Sequence, residues 1–361
     1  MAKKILKGIG VGISTAVGLL ILAVLIYAIY VVVSYSRIPD NTALTIDGGA
    51  TENAVKLDTE YVAVSQNLGF GAYTRDFTFF MDGGSESRAE SRESVIKCIQ
   101  KGMTAVGTLD PDFILFQEVD LDSTRSYHTD QYAMLREGFS DYSSCYAQNY
   151  DSAYLMYPIF EPHGASKSSL ATFSRFEIAS SLRRSLPIST SLSKFLDLDR
   201  CYSVSRIAVE NGKELVIYNV HSSAYGGSDE IRNAQMSMLL NDMAVEYAKG
   251  NYVICGGDFN HDFTGDSVER LNGDVPEEYG WAQPFPKELI PKGLYRCIDY
   301  KEGKLLPTCR NCDLPYKEGN FALIVDGFIV SDNVECLEVE NIQNGFEYSD
   351  HMPVRLKFKL K

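Results

Sequence analysis

YVICGGDFN, residues 252–260, runs a short apolar stretch into two glycines and then into a carboxylate and an amide two positions apart. Side chains alternate faces along a strand, so Asp258 and Asn260 are expected on one face and Phe259 on the other, anchored in the core. Gly256 and Gly257 remove bulk where a ligand or a second backbone must come close. The carboxyl end of a strand is also where open α/β sheets bind ligands. Asp, Asn and Gly are turn formers too, so an Asx-turn closing the strand is the competing reading of the same residues.

Other strand ends repeat the pattern. YVAVSQN (61–67) ends in Asn67, and DFILFQEV (112–119) presents Glu118. SVSRIAVENGKELVIYNVH (203–221) reads as a hairpin around Asn211-Gly212 and ends in His221. ALIVDGFIV (322–330) reads as one strand holding Asp326, and Asp350 and His351 precede the strand MPVRLKFKL (352–360). Helices are expected over 85–103 and over 228–250, the second with Ser228 as N-cap and Gly250 as its end. Hairpins mixed with strand–helix units predict layered sheets with helices outside.

Taken in order, Asn67, Glu118, His221, Asp258, Asn260, Asp326, Asp350 and His351 resemble the endonuclease/exonuclease/phosphatase superfamily. That group contains pancreatic deoxyribonuclease, abasic-site endonucleases, neutral sphingomyelinases and inositol polyphosphate 5-phosphatases. The resemblance runs from about Tyr61 to the C-terminus. It implies a four-layered α/β/β/α sandwich of two mixed sheets flanked by helices, with 61–361 as one catalytic domain. It also implies roles. Glu118 is the principal metal ligand, with Asn67 beside it and Asp350 near, and Mg²⁺ is the expected cofactor, with Mn²⁺ as a substitute. Asp258 is the base, steadied by Asn260. His221 and His351 face the transition state, and Asp326 pairs with His351. The chemistry agrees with the residue types. An anionic phosphoester needs a hard divalent cation held by oxygen ligands, a base for the attacking water and donors for the developing charge. A carboxylate inside an apolar run, as at Asp326, needs a partner.

Departures narrow the family. Ile254-Cys255 and LIVDGFIV stand where the 5-phosphatases carry tryptophan motifs, and Trp281 is the one tryptophan. SKSSLATFSR (166–175) replaces the commoner Gly-x-Ala-Ile-Leu-Ser-Arg. Arg183, Arg184, Arg200 and Arg206 either place cations over an anionic substrate or lie on strand surfaces. His261 and Asp262 fall outside the pattern and read as loop residues.

The chain has 361 residues and a net charge of −14, so its overall field does not attract phosphate backbones. Residues 9–33 contain no charge and are long enough to span a ~30 Å hydrocarbon core. Lys3, Lys4 and Lys7 precede that run, so residues 1–8 are expected in the cytoplasm and the domain outside, joined by a stalk at 34–60. A signal peptide cleaved at Ser34-Tyr35-Ser36 is the rival, although the run exceeds the usual ~7–15 residue apolar region. Eight cysteines permit disulfides outside the cell; Cys98 and Cys255 read as core, and Cys309-Arg-Asn-Cys312 lacks a fourth zinc ligand.

The resulting expectation is a membrane-anchored, bacterial-type member of the superfamily, cleaving phosphoester and chiefly phosphodiester bonds outside the cell. Its substrate is nucleic acid or a phospholipid headgroup. Its partners are that anionic substrate and the membrane, with no obligate protein partner. The alternative is a catalytically inactive binding module on the same fold.

Overall fold

The computed structural model describes residues 1–191, 194, 198–224, 228–274, 279–299 and 305–361. Its first element, α1 (Ala2–Ser34), is one helix of 33 residues, exposed along nearly its whole length. Lys3–Ser34 is long and apolar enough to cross a membrane.

Two mixed sheets follow. The seven-stranded sheet runs β1 (Thr42–Ala43), β6 (Ile178–Ser185), β7 (Cys201–Ala208), β8 (Glu214–His221), β9 (Tyr252–Asp258), β13 (Asp326–Ser331), β10 (Leu294–Cys297). The six-stranded sheet runs β14 (Val334–Asn341), β15 (Val354–Leu360), β2 (Tyr61–Asn67), β3 (Phe113–Asp120), β5 (Lys167–Ser174), β4 (Ser143–Asp151). A two-stranded ribbon, β11 (Cys309–Arg310) with β12 (Ala322–Leu323), lies apart from both.

The sheets pack face to face because their inner faces are apolar. Ala63, Phe113 and Leu115 of one sheet share a buried cluster with Ile217, Ile254 and Phe328 of the other. On the outer face of the six-stranded sheet, α2 (Arg92–Gly107) sets Val95 and Ile99 against Val64, Ile114 and Phe116, and α3 (Gln131–Gly138) adds Leu135. On the opposite outer face, α4 (Asp229–Ala248) sets Met236, Leu239, Leu240 and Met243 against Val216, Tyr218 and Val253. The result is the expected α/β/β/α sandwich. Each sheet holds one parallel pair, β2 with β3 and β8 with β9, bridged by α2 and α4 respectively.

Three local expectations shift. The first helix begins at Arg92 and not at 85, because the Ser91 side chain accepts the Ser94 N–H and caps it there. The run 322–330 is broken in two. Ser267 Oγ takes the Ile324 N–H and Thr308 Oγ1 takes those of Val325 and Asp326, so β12 pairs with β11 while β13 pairs with β9 and β10. The segment expected as a stalk is laid along the domain. Thr42 and Ala43 pair with β6, Asp47 bridges Ser144, and Val55 is fully buried in the inter-sheet core.

Candidate active site

The site forms where the carboxyl ends of the two parallel pairs meet. Asn67 closes β2, His221 closes β8 and Asp258 closes β9, with His221 and Asp258 directly opposite in register. Asp326 opens β13 opposite Asp258 on the other side. Gly256 and Gly257 make this approach possible. A Cβ on Gly256 would stand 2.7 Å from Leu115 Cδ1, and one on Gly257 would run into the Val220 carbonyl.

Glu118 reaches the cluster through a bulge. The pairing of β3 with β5 shifts register between Phe116 and Val119, and Glu118 has φ 53°, a left-handed conformation unusual for a side-chain-bearing residue. Bulges re-aim side chains, and such strain persists where the surrounding structure over-determines it. Asn260 is left-handed too, at φ 47°. Its N–H donates to Asp258 Oδ1 at 2.9 Å, the Asx-turn, and its Nδ2 donates to the Ser222 carbonyl at 2.9 Å. The Asx-turn reading of GGDFN therefore holds: β9 ends at Asp258, Asn260 lies in the turn beyond the strand, and the turn fixes the carboxylate. Phe259 is fully buried, as expected.

Asp350 and His351 arrive on the loop before β15. Ser349 Oγ donates to the Asn67 carbonyl at 2.8 Å and accepts the His351 N–H at 3.1 Å, clamping that loop to the end of β2. His351 Nδ1 lies 2.8 Å from Asp326 Oδ2. Asp258 Oδ2 is the shared point. Asn67 Nδ2 donates to it at 3.1 Å, and the Nε2 atoms of His221 and His351 lie 3.4 and 3.8 Å away. Asn67 Nδ2 also donates to Glu118 Oε1 at 3.2 Å, while its oxygen accepts the Gly69 N–H. The structure thus gathers all eight sequence-predicted residues at one place. Six of them, Glu118, His221, Asp258, Asn260, Asp350 and His351, line a cavity of about 600 Å³.

The two imidazoles are electrostatically different. Burial disfavours charge on His351, but Asp326, with Asp350 and Asp258 nearby, outweighs it and holds the ring well above its ordinary value. For His221, burial, reinforced by Arg200 and His351, pushes the ring well below its ordinary value although its Nε2 lies 3.4 Å from Asp258 Oδ2. Burial and the neighbouring Asp326 push the Asp258 carboxyl up, and burial with Glu118 does the same to Asp350. The surroundings thus favour the charged form of one ring and the neutral form of the other, and both rings lie beside the Asp258 carboxyl group.

The donor set fits a hard divalent cation. Glu118, Asp258, Asp326 and Asp350 crowd together, and among the described residues no Lys or Arg makes an ion pair with Glu118, Asp258 or Asp350. Asp258, Asp326 and His351 bring ligand atoms within 4.8 Å of one another, and Asp326 Oδ1 has no hydrogen-bond partner. The expected ligands Glu118 and Asp350 are hard oxygen donors on the cavity side. Asn67 would offer its oxygen only after its amide turned over.

The arginines separate by role. Arg183 is spent on the carbonyls of Gln148 and Asp199, Arg184 on Asp40 and Asp242, and Arg206 on Glu214 and Glu246. Arg200 lines the cavity. Sequence reasoning missed Arg310, also in the cavity wall, whose backbone N–H donates to the Asp350 carbonyl. The flanking cysteines drew attention to zinc; instead, Cys309 bridges His351 and Cys312 Sγ lies 4.0 Å from Asp350 Oδ2. Also missed was a buried polar tie beneath the site. Gln117 Nε2 donates to Asn219 Oδ1 at 2.8 Å, joining the two sheets. Asp262 is structural: it accepts from Gly265 N, Ser267 Oγ and Val268 N.

A family model, the endonuclease/exonuclease/phosphatase family, matches residues 65–351. No curated protein sequence is significantly similar to the chain. Solved structures share the fold at low identity. An endonuclease/exonuclease/phosphatase from Beutenbergia cavernae is 14% identical with a TM-score of 0.58, covering 83% of this chain and 72% of its own. One from Bacteroides vulgatus is 14% identical at 0.53, covering 84% and 100%. ANGEL2, described as a 2',3'-cyclic phosphatase, is 13% identical at 0.53, covering 88% and 98%.

Proposed function

The chain belongs to the endonuclease/exonuclease/phosphatase family, and on that premise we propose that it hydrolyses phosphoester bonds, chiefly phosphodiesters, with a divalent cation, on the outer side of a membrane. The observation that carries this reading is the Asp258 carboxylate, ringed by Asn67, His221 and His351 with Asp326 behind the second imidazole.

Glu118 and Asp350, with Asn67, would hold Mg²⁺ or Mn²⁺, which when bound neutralises negative charge on the substrate's phosphoryl group. The chain's own groups do the rest. Asp258, fixed by the Asn260 N–H, orients a water and takes its proton. His351, held by Asp326 and charged, donates from Nε2 to a phosphoryl oxygen. His221, neutral, donates a second hydrogen bond. Arg200 and Arg310 add positive potential in the cavity wall. Lys3, Lys4 and Lys7 before an uncharged span support an outward-facing domain.

The test is turnover of a soluble diester, bis-p-nitrophenyl phosphate, by the full chain in mild detergent. Asp258→Asn should lower kcat by roughly 10²- to 10⁴-fold, the range for a positioned base. A folded wild type with no turnover on any phosphoester would favour the inactive binding module.

A further inference from the structure

Residues 153–160, AYLMYPIF, carry no charge and form an exposed apolar loop beside the cavity. Phe160 is fully exposed, Ile159 and Tyr157 are 77% and 68% exposed, and Met156 and Met81 are half exposed. Contiguous apolar exposure of this kind marks an interaction surface. Glu161, the next residue in the chain after Phe160, has its carboxylate drawn to the Ser87 N–H at 3.2 Å.

What covers this surface is indicated by the helix it touches. Tyr27 Oη of α1 donates to the Tyr154 carbonyl at 3.2 Å and accepts the Met156 N–H at 3.1 Å; Tyr30 Oη accepts the Tyr154 N–H at 3.0 Å. Tyr27 lies seven residues before the helix end at Ser34, roughly 10 Å at 1.5 Å per residue. If α1 spans a bilayer, the loop sits about one to two turns inside its domain-side end. That is the depth of about 5–10 Å at which apolar side chains seat in the headgroup boundary, and tyrosines are enriched there. Tyr27 also walls the same cavity that Asp258 and His351 line, together with Phe79, Phe80 and Met156. The cavity therefore runs from a polar, carboxylate-rich end to an aromatic wall made partly by the membrane helix.

We propose that residues 153–160 seat in the leaflet on the domain's side, and that the cavity admits a lipid-borne phosphoester from that leaflet. Its phosphate would lie at Asp258 and His351, and its acyl chains along the aromatic wall. The assignment rests on the phosphoesterase reading above. In the reaction a water oxygen–phosphorus bond forms, the phosphorus–oxygen bond to the leaving alcohol breaks, Asp258 takes the water's proton and passes it to solvent, and the leaving alkoxide takes one proton back from solvent, so none is gained or lost overall. A nucleic-acid track would need a run of cations; the rim here is apolar and the chain carries −14.

The experiment uses the full chain reconstituted into phosphatidylcholine vesicles containing sphingomyelin and phosphatidylglycerol, with Mg²⁺. Turnover of these lipids, of bis-p-nitrophenyl phosphate and of single- and double-stranded DNA is measured for wild type and for Ile159→Ser/Phe160→Ser, whose side chains do not line the cavity. Separately, Phe160→Trp is read by fluorescence quenching with brominated lipid, against a background of Trp281 alone. The expected result is lipid turnover by the wild type, a lipid-to-soluble-diester ratio at least tenfold lower in the double variant, and quenching at Phe160→Trp. An unchanged ratio, absent quenching, or cleavage of DNA but not lipid would overturn the proposal. Wild-type turnover of no substrate would overturn the reading it rests on, and the lipid assignment with it; quenching would still decide the seating of the loop.

Discussion

Asp326 has one oxygen on His351 Nδ1 and one with no hydrogen-bond partner, deep in the protein. A buried carboxyl group in that state needs its one partner, the His351 imidazole 2.8 Å away. The two residues should therefore act as a unit. His351→Ala should lower kcat on a soluble diester by on the order of 10²-fold or more. Asp326→Asn should lower it less, and the double variant should be little worse than His351→Ala, since residues acting together are non-additive. Kinetics of all three, with folding checked by circular dichroism, read this; multiplicative losses would separate the pair. A lone Asp in an apolar run shows that a partner is needed, and the family resemblance implied that the partner is His351. Arg310 was not, because nothing in Cys-Arg-Asn-Cys says which way an arginine between two buried cysteines faces. Gln117 was equally hidden, since the bulge that re-aims Glu118 is a property of the pairing of β3 with β5.

At the scale of elements, α4 is held to its sheet by Glu246. Burial alone would raise this carboxyl, but hydrogen bonds from Arg206, Lys249 and Asn251 outweigh it and draw it down to about 2. A folded-state value below the ordinary one means stabilisation that is present above about pH 4.5 and lost as pH falls toward 2. Glu246→Gln should therefore lower the thermal midpoint at pH 5, and the gap to wild type should narrow by pH 3. Unfolding scans in mild detergent at both values check it; a gap that is constant or widens would contradict it. Strands read by alternation were placed within a few residues, as with 61–67 and the 203–221 hairpin. The run 322–330 was not, because its interruption depends on the hydroxyls of Thr308 and Ser267, which come from distant chain segments.

Over the whole molecule, the family resemblance carried by the ordered strand ends implied the fold; residues 67 and 351 meet because β2 and β15 are neighbours in one sheet, and Asp258 joins them from the other. The course of residues 34–60 was not legible, because a polar, mixed segment gives no periodicity to show that Val55 enters the core. The apolar loop at 153–160 escaped notice for a different reason. Its meaning lies in its contact with Tyr27 and Tyr30, more than a hundred residues away. The charge pattern around α1 predicts a retained anchor, so protease added to intact cells should reach the domain and the mature chain should keep residues 1–36. Protection from the protease, or a mature chain starting near residue 37, would contradict that topology.

The central claim is that this cluster is one metal-dependent hydrolytic site, and a metal titration of turnover tests it most directly. Full-length protein is stripped with EDTA and assayed on bis-p-nitrophenyl phosphate while Mg²⁺ or Mn²⁺ is restored, for wild type and Glu118→Gln. The wild type should be inactive in chelator and recover saturably, and Glu118→Gln should need about tenfold or more metal for half-recovery. Full turnover in EDTA, or superimposable titrations of the two proteins, would contradict it.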